Sequence, residues 1–309
     1  MNRKVLFFPG QASQYVGMGK DLYESSEAVR RLYELASDEM RLDIARLSFE
    51  GPAEELKRTH VTQPAILLHS LAVLTVLDEN IPEFDFAAGH SLGEYGALAA
   101  CGALSFEDAV KAVIKRAALM EEACLKNEGT MAAIMGLSIE QIQNVCETAS
   151  ADGVVVPANF NSEIQIVISG TVAGVERAIT LAKETGAKRA MKLEVGGAFH
   201  SPLMEPARLG LGEYLANVVI NRPNKPVVAN VTGQPVDRPE EIRELLVRQL
   251  TAPVKWAQTM DFLKEEKVTE VIEIGPGKVL TGLAKRALQP ENMINLDKLE
   301  DVNNFVPIV

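Results

Sequence analysis

Apolar and polar positions follow two different rhythms along this chain. Val5 to Phe8 are four apolar residues in a row, as in a strand covered on both faces, and Pro9 and Gly10 end the run. Glu24 to Leu42 has helical spacing, and Pro64 to Leu77 is apolar over most of a helical surface. Phe84 to Ala88 is a second short apolar run. A helix over Leu92 to Cys101 follows it, with Gly102 as cap. Ser105 and Asp108 predict a capping box for the next helix, which runs to about Leu125. Strands alternating with helices in this way predict a parallel sheet covered by helices.

The middle of the chain changes rhythm. Thr130 to Met135 is a strand, and Ser138 caps a helix whose apolar face is Ile139, Ile142, Val145 and Ala149. Val154 to Ala158 and Ile164 to Ile168 are strands joined by a polar turn. Thr171 starts a helix with Val172, Val175, Ile179 and Ala182 on one face, and Lys188 to Val195 alternates as a strand. The order β-α-β-β-α-β is ferredoxin-like. Beyond it, helices are expected over Pro202 to Val218, Glu240 to Leu250, Trp256 to Glu265 and Val279 to Leu288. Strands are expected over Val227 to Val231 and Val271 to Ile274, and the residues after Pro290 are expected to be peripheral. The predicted fold is α/β. Residues 1–128 and 196–309 form a large hydrolase-like domain with a parallel-sheet core, and residues 129–195 form an inserted ferredoxin-like small domain.

Composition narrows the class. A chain of 309 residues, 47% of them hydrophobic, can bury a large core. A formal charge of −11 with no basic tract argues against a partner built on a phosphate backbone, so no nucleic acid is expected. The apolar run before Pro9 is too short for a signal peptide, and no uninterrupted apolar stretch reaches membrane-spanning length. Cys101, Cys124 and Cys146 show no metal-ligand spacing and are expected to be reduced and structural. A cytoplasmic address, with no metal and no membrane, is the default expectation.

The reactive chemistry concentrates at Gly89-His90-Ser91-Leu92-Gly93. A strand, a tight turn and a helix together lift the Ser91 hydroxyl clear of the backbone and place the following amide near a helix start. Such a serine needs a base, and the chain has four histidines. His60 lies in a polar stretch and is expected at the surface. His69 lies within an apolar helix and is expected to pack there. His90 adjoins the serine, but neighbours in a tight turn point apart, so it is structural or lines the pocket. His200, in Gly196-Gly197-Ala198-Phe199-His200-Ser201-Pro202, sits where paired glycines permit close backbone approach, and it is the expected base. No aspartate stands out to orient it, which departs from the serine, acid, histidine order of ordinary serine hydrolases.

Taken together, these motifs resemble the malonyl-CoA:acyl-carrier-protein transacylase family over nearly the whole chain. The resemblance rests on Phe8-Pro9-Gly10-Gln11, Ser13-Gln14, Gly17-Met18-Gly19, Gln63-Pro64-Ala65 and Gly89-His90-Ser91-Leu92-Gly93-Glu94-Tyr95. Arg116, Ala158-Asn159-Phe160-Asn161-Ser162 and Phe199-His200-Ser201-Pro202-Leu203-Met204 carry it further, as do Thr251-Ala252-Pro253-Val254-Lys255-Trp256 and Glu273-Ile274-Gly275-Pro276-Gly277. It implies Ser91 as nucleophile, His200 as its base, and Gln249 as the residue whose backbone carbonyl holds the histidine ring in place of an acid. It further implies an oxyanion hole from Gln11 and the Leu92 amide, a carboxylate clamp at Arg116, and a pocket wall that includes Asn161.

On its own Arg116 reads as an arginine on an amphipathic helix, although Ala112, Val113, Ala117 and Ala118 around it suggest packing on all sides. Phe199 reads equally as plain core; its part in malonyl selectivity is implied by the resemblance. The substrate implied is malonyl-CoA, with no bound cofactor. The partner implied is an acidic phosphopantetheinylated acyl-carrier protein, for which Lys188, Arg189 and Lys192 are candidate contacts. Two departures stand out. Ala12 replaces the usual glycine, which asks for a less extreme backbone there, and Glu163-Ile164 replaces the usual Pro-Gly pair, which leaves that turn less predefined. Outside the resemblance, the same turn also suits a thioesterase or lipase-like hydrolase, and a non-catalytic carrier-binding module is a further alternative.

Overall fold

The computed structural model describes residues 3–305. In chain order the strands are β1 (Arg3–Phe8), β2 (Phe86–Gly89), β3 (Gly129–Met135), β4 (Val155–Ser162), β5 (Gln165–Thr171), β6 (Arg189–Lys192), β7 (Val227–Ala229), β8 (Gln234–Val236), β9 (Val268–Ile274) and β10 (Asn292–Leu296). They form two sheets. One has the order β10-β9-β1-β2-β7-β8, parallel except for β8, which runs antiparallel to β7. The other is wholly antiparallel, in the order β4-β5-β3-β6. Taken in the sequence of its own four strands, that order is the ferredoxin-like one.

β1 shows why an unbroken apolar run suits a central parallel strand. Successive side chains point to opposite faces, and here both faces are core. Leu6 and Phe8 join the cluster built on the Thr59–Leu77 and Phe106–Lys126 helices. Val5 and Phe7 join a second cluster with Trp256, Met260 and Leu280, where the rings of Phe7 and Trp256 lie 5.1 Å apart. The four-stranded sheet has its own core, in which Ile134, Ile166 and Ile168 meet Ile142, Val145 and Val175 of its two helices. The edge strand β4 is tied to the segment just before the Trp256–Glu265 helix: Phe160 N donates to Val254 O at 2.9 Å and Val254 N to Ala158 O at 2.8 Å.

Several elements differ from the sequence expectation for identifiable reasons. Glu24 to Leu42 is interrupted. Helices span Lys20–Ser25 and Glu27–Met40, because Ser26 is extended (φ −134°, ψ 126°) and caps the second one through the Val29 N–H. Thr59 to Leu77 is one helix with Pro64 inside it. By length and composition it could cross a membrane, but Gln63, His69 and Ser70 interrupt its apolar run, and sixteen of its nineteen residues are buried within the fold. Ser105 caps its helix through Asp108 N, but its hydroxyl meets the Asp108 carboxylate, so the reciprocal half of a capping box is missing there. A full box forms instead at Ser138 and Gln141. Lys188 to Val195 is a strand only over Arg189–Lys192, at the sheet edge. Pro202 to Val218 divides into a 3-10 turn over Pro202–Met204 and a helix over Glu205–Leu215.

The described residues after Pro290, up to Phe305, are not peripheral; the rest of that stretch lies outside the described residues. β10 pairs in parallel with β9, and Val302 is buried. Tyr15 Oη donates to the Asp297 carboxylate at 2.8 Å, and His69 Nε2 lies 2.7 Å from the Asp297 carbonyl oxygen. His69 is thus a buried, bonded packing residue. His60 is not in a surface loop. It lies half-buried in the first turn of the Thr59–Leu77 helix, with Nδ1 2.6 Å from Glu121 Oε2.

Candidate active site

The site lies beyond the carboxyl ends of the parallel strands, where open α/β sheets place their ligands. β1 leads to Gln11, β2 to Ser91 and β7 to Asn230. β1 and β2 are neighbours in register from Val5↔Phe86 to Phe8↔Gly89, which brings the Gln11 loop alongside the serine turn. His90 N donates to Phe8 O at 3.0 Å, and Gly93 N to His90 O at 3.0 Å, closing the turn. Ser91 sits in the left-handed region at φ 53°. The glycines on either side are required by contact. A Cβ on Gly89 would lie 2.0 Å from the Gly93 carbonyl, and one on Gly93 would lie 2.1 Å from Phe8 O.

His200 arrives from a separate loop, also left-handed, at φ 56°. A Cβ on Gly197 would meet Cys124 Sγ at 2.1 Å, so this glycine lets the loop approach the Phe106–Lys126 helix. Its neighbour Gly196 faces open space, with only Thr59 Oγ1 at 3.4 Å. Of the two paired glycines, only Gly197 is needed for close approach.

The His200 ring is fixed at both nitrogens. Nδ1 lies 2.7 Å from the Gln249 carbonyl oxygen, which can only accept, so Nδ1 carries the hydrogen. Nε2 is left as the acceptor, and Ser91 Oγ stands 2.8 Å from it. Burial first, and the charge of Arg116 second, push the His200 pKa down from its ordinary value of 6.5 to about 3. The imidazole is therefore neutral and able to accept a proton. Among the described residues no carboxylate bonds to it; the Gln249 backbone takes that place.

Arg116 comes from the helix over Phe106–Lys126 and is fully buried. Its guanidinium donates from Nη1 to Gln63 Oε1 at 2.5 Å, and from Nη2 to Ser91 Oγ at 2.9 Å and Gln249 Oε1 at 2.8 Å. Ser91 Oγ is thus flanked by a proton acceptor and a cation. Of the two readings of Arg116, the exposed amphipathic arginine is excluded: the side chain is buried and held by Gln63, Ser91 and Gln249, although Ala118 on the same helix is exposed.

A cavity of about 460 Å³ opens over this group. Gln11, His90, Asn161, Phe199 and Leu92 all line it, together with Ser91 and His200. His90 Nε2 donates to Asn161 Oδ1 at 3.0 Å, tying the turn to β4. Loss of water around His90 lowers its pKa, with the Asn161 bond opposing. Ala12 adopts φ 82°, so the less extreme backbone expected there is not found. Its N–H donates to Gln14 Oε1 at 2.9 Å, and that bond holds the loop in the shape usually left to glycine. At Glu163-Ile164 the chain still makes a two-residue turn, and Ile164 O accepts from Gly136 N at 2.9 Å. Lys188, Arg189 and Lys192 are exposed and lie outside the cavity lining. The Lys192 ammonium is 3.8 Å from Glu176.

Four contributors were not assigned from sequence. Asn230 Oδ1 accepts the Ser91 N–H at 2.7 Å while its Nδ2 donates to Gly89 O at 2.6 Å, so one side chain braces the turn twice. Its place directly after a parallel strand was the available signal. Gln63 holds Arg116, although only its motif had been noted. Glu94, buried in the first turn of the Gly93–Ala100 helix, accepts from Gln249 Nε2 at 2.8 Å and Asn230 N at 3.1 Å. Burial pushes its pKa up to about 7. Arg286 lines the cavity from a helix at its rim. No group of three or more histidine, cysteine or acidic residues suited to a metal occurs among the described residues.

The chain as a whole is similar to known proteins. The family described as acyl transferase domain matches residues 5–300. The malonyl CoA-acyl carrier protein transacylase of Bacillus subtilis (strain 168) is 48% identical over 287 residues, covering 93% of this chain and 90% of that protein. The protein of the same name from Haemophilus influenzae is 43% identical over 305 residues, 98% of each chain. Among solved structures, an acyl carrier protein S-malonyltransferase from Vibrio cholerae superposes with a TM-score of 0.93 at 40% identity, covering 99% of this chain and 100% of its own. A malonyl-transacylase in complex with its type II polyketide acyl-carrier protein gives 0.92 at 39% identity, covering 98% and 99%. On this likeness across nearly its full length, the chain belongs to the acyl transferase domain family and, within it, to the malonyl-CoA-acyl carrier protein transacylases.

Proposed function

We propose that this chain moves the malonyl group of malonyl-CoA onto the phosphopantetheine thiol of an acyl-carrier protein through a malonyl ester on Ser91. One observation carries the reading: Ser91 Oγ lies between His200 Nε2 at 2.8 Å and Arg116 Nη2 at 2.9 Å. The first contact supplies a base. The second supplies a buried cation beside the nucleophile, suited to the free carboxylate of a dicarboxylic acyl group.

In the first half-reaction His200 Nε2 takes the Ser91 hydroxyl proton as Oγ attacks the thioester carbonyl. The oxyanion that forms is met by the Leu92 N–H and the Gln11 side chain, a stabilisation worth about 3 kcal/mol per donor. The C–S bond then breaks, and the His200 proton passes to the departing CoA sulfur. Arg116 holds the carboxylate of the ester left on Ser91. In the second half-reaction the carrier thiol gives its proton to His200 and attacks the ester carbonyl. The C–O bond breaks, and Ser91 Oγ regains the proton. Gln249 O keeps the ring in the same tautomer throughout. His90 and Asn161 form the pocket wall, and Phe199 limits bulk beside the acyl group.

The reading divides the chain into a catalytic domain, residues 1–128 with 196–309, and an inserted domain, residues 129–195, with the cavity lined from both. It places the enzyme in the cytoplasm, in fatty-acid synthesis, with no cofactor and no need of nucleic acid or membrane. Lys188, Arg189 and Lys192 contribute to the carrier surface, so reversing charge at Lys188 and Arg189 raises KM for the carrier and leaves that for malonyl-CoA unchanged.

The decisive experiment is incubation with labelled malonyl-CoA, followed by peptide mapping. A malonyl adduct on the Ser91 peptide, discharged by carrier thiol to malonyl-carrier and not to free malonate, is the expected result. Transfer that proceeds with no adduct on Ser91 overturns the mechanism, and free malonate as the main product points to a hydrolase.

A further inference from the structure

We infer that Glu94 is a positioning residue for carboxylate recognition, acting through the side-chain amide of Gln249 to fix the Arg116 guanidinium beside Ser91. The inference rests on the functional reading above. Arg116 is fully buried, yet its bonds run to neutral acceptors, Gln63 Oε1, Ser91 Oγ and Gln249 Oε1, and it has no ion-pair partner among the described residues. An amide has two faces. Turned over, Gln249 would present its NH2 to a guanidinium that can only donate.

Two acceptors prevent this. Gln249 Nε2 donates to Glu94 Oε2 at 2.8 Å and to Ser91 O at 3.0 Å, which leaves Oε1 facing Arg116. Asn230 N holds the same Glu94 oxygen at 3.1 Å, so the carboxylate cannot swing away. Glu94 therefore fixes the guanidinium at one remove, as the acceptor that sets which way the Gln249 amide faces. A carboxylate in direct contact with Arg116 would compete with the carboxylate of the substrate, whereas the relay orients the guanidinium through neutral acceptors alone.

The test compares malonyl-CoA with acetyl-CoA, which lacks the carboxylate, as donors to carrier protein. Wild type, Glu94→Ala, Gln249→Ala, the double variant and Glu94→Gln are assayed, with near-ultraviolet circular dichroism as a check on folding. Each alanine variant is expected to lose about tenfold in the ratio of malonyl to acetyl kcat/KM, the scale of one charge-assisted hydrogen bond. The double variant loses no more than the worse single, because both interrupt one relay. Glu94→Gln keeps an acceptor for Gln249 and retains most of the preference. Equal loss for both donors, or losses that multiply in the double variant, overturns the relay. If Glu94→Ala does not fold, an undiminished malonyl preference in Gln249→Ala overturns it equally. A wild type that forms no malonyl-serine ester sinks the functional reading itself, an outcome distinct from all of these.

Discussion

Ser91 and His200, whose side chains meet at 2.8 Å, both adopt left-handed backbone conformations, at φ 53° and 56°. That region costs a residue with a Cβ about 1–2 kcal/mol, and it persists only where the surroundings impose it. Asn230 Oδ1 on the Ser91 N–H and Gln249 O on the His200 ring do so here. Two strained turns aim their side chains at one point.

Relief of that strain should separate stability from activity. Ser91→Gly removes the nucleophile and accepts φ 53° without penalty, so it should abolish ester formation and raise stability by about 0.5–1 kcal/mol. Urea unfolding measures the second effect. A clear loss of stability would mean that the Ser91 hydroxyl bonds to His200 and Arg116 outweigh the strain.

Gly93 gives the opposite outcome. A methyl group there would press on Phe8 O at 2.1 Å, backbone against helix start, with no flexible side chain to give way. Gly93→Ala should destabilise by about 3 kcal/mol or more and cut acylation of Ser91, because the turn must shift away from β1. A variant that keeps the wild-type melting temperature and burst of CoA release would refute this account of the turn.

Arg116→Lys tests geometry at nearly constant charge. An ammonium cannot reproduce the planar fork that reaches Gln63, Ser91 and Gln249 together. Malonyl transfer should fall by about 100-fold, with acetyl transfer reduced far less, as read from kcat/KM for the two donors. Arg116→Ala should show the same direction more strongly. Equal losses for both donors would make Arg116 a structural residue.

Much of this arrangement was legible in the chain, for local reasons. A parallel strand, a glycine-flanked serine and a helix are neighbours in sequence, so the turn at Ser91 could be read directly. The pairing with His200 spans 109 residues, and only four histidines competed for the role. The resemblance supplied the part of Gln249, which no spacing reveals because its backbone does the work. Asn230 and Glu94 escaped because their roles depend on meeting each other and Gln249 across the end of the sheet. β10 escaped because Asn292 and Asn295 break up a short run in which Met293 and Ile294 are only partly covered and Leu296 alone is buried. At Ala12 the residue type misled, since a bond to Gln14 upholds a conformation that alanine alone disfavours.

The histidine should leave a signature in stability against pH. The folded pKa of His200 is about 3, against 6.5 for the free side chain, so between those values the unfolded chain binds a proton that the folded chain refuses. Its contribution to stability is complete above pH 6.5 and is lost as pH falls toward 3, by up to about 1.4 kcal/mol per pH unit. Glu94 opposes it: raised from 4.5 to about 7, it contributes fully below pH 4.5 and loses that contribution as pH rises to 7. The stability difference between wild type and His200→Asn removes the Glu94 effect and should rise from pH 4.5 to 6.5. A flat difference in urea unfolding would show that His200 titrates normally.

Ala12 offers a substitution that should separate loop strain from loop order. At φ 82° an alanine carries about 1–2 kcal/mol of steric cost, while glycine pays about 0.4–1 kcal/mol more in unfolded-state entropy. Ala12→Gly keeps the N–H that donates to Gln14 and should therefore gain up to about 1 kcal/mol. The neighbouring Gln11, cast as an oxyanion donor, then sits on a freer backbone, so kcat should stay level or fall slightly while the melting temperature rises. Ala12→Val adds a β-branched side chain at the same φ and should lose at least about 1 kcal/mol. Melting temperatures in the order glycine, alanine, valine, from highest to lowest, are expected. If valine is tolerated as well as glycine, the Gln11–Ser13 segment is free to leave its left-handed turn, and the Gln14 bond does not hold it.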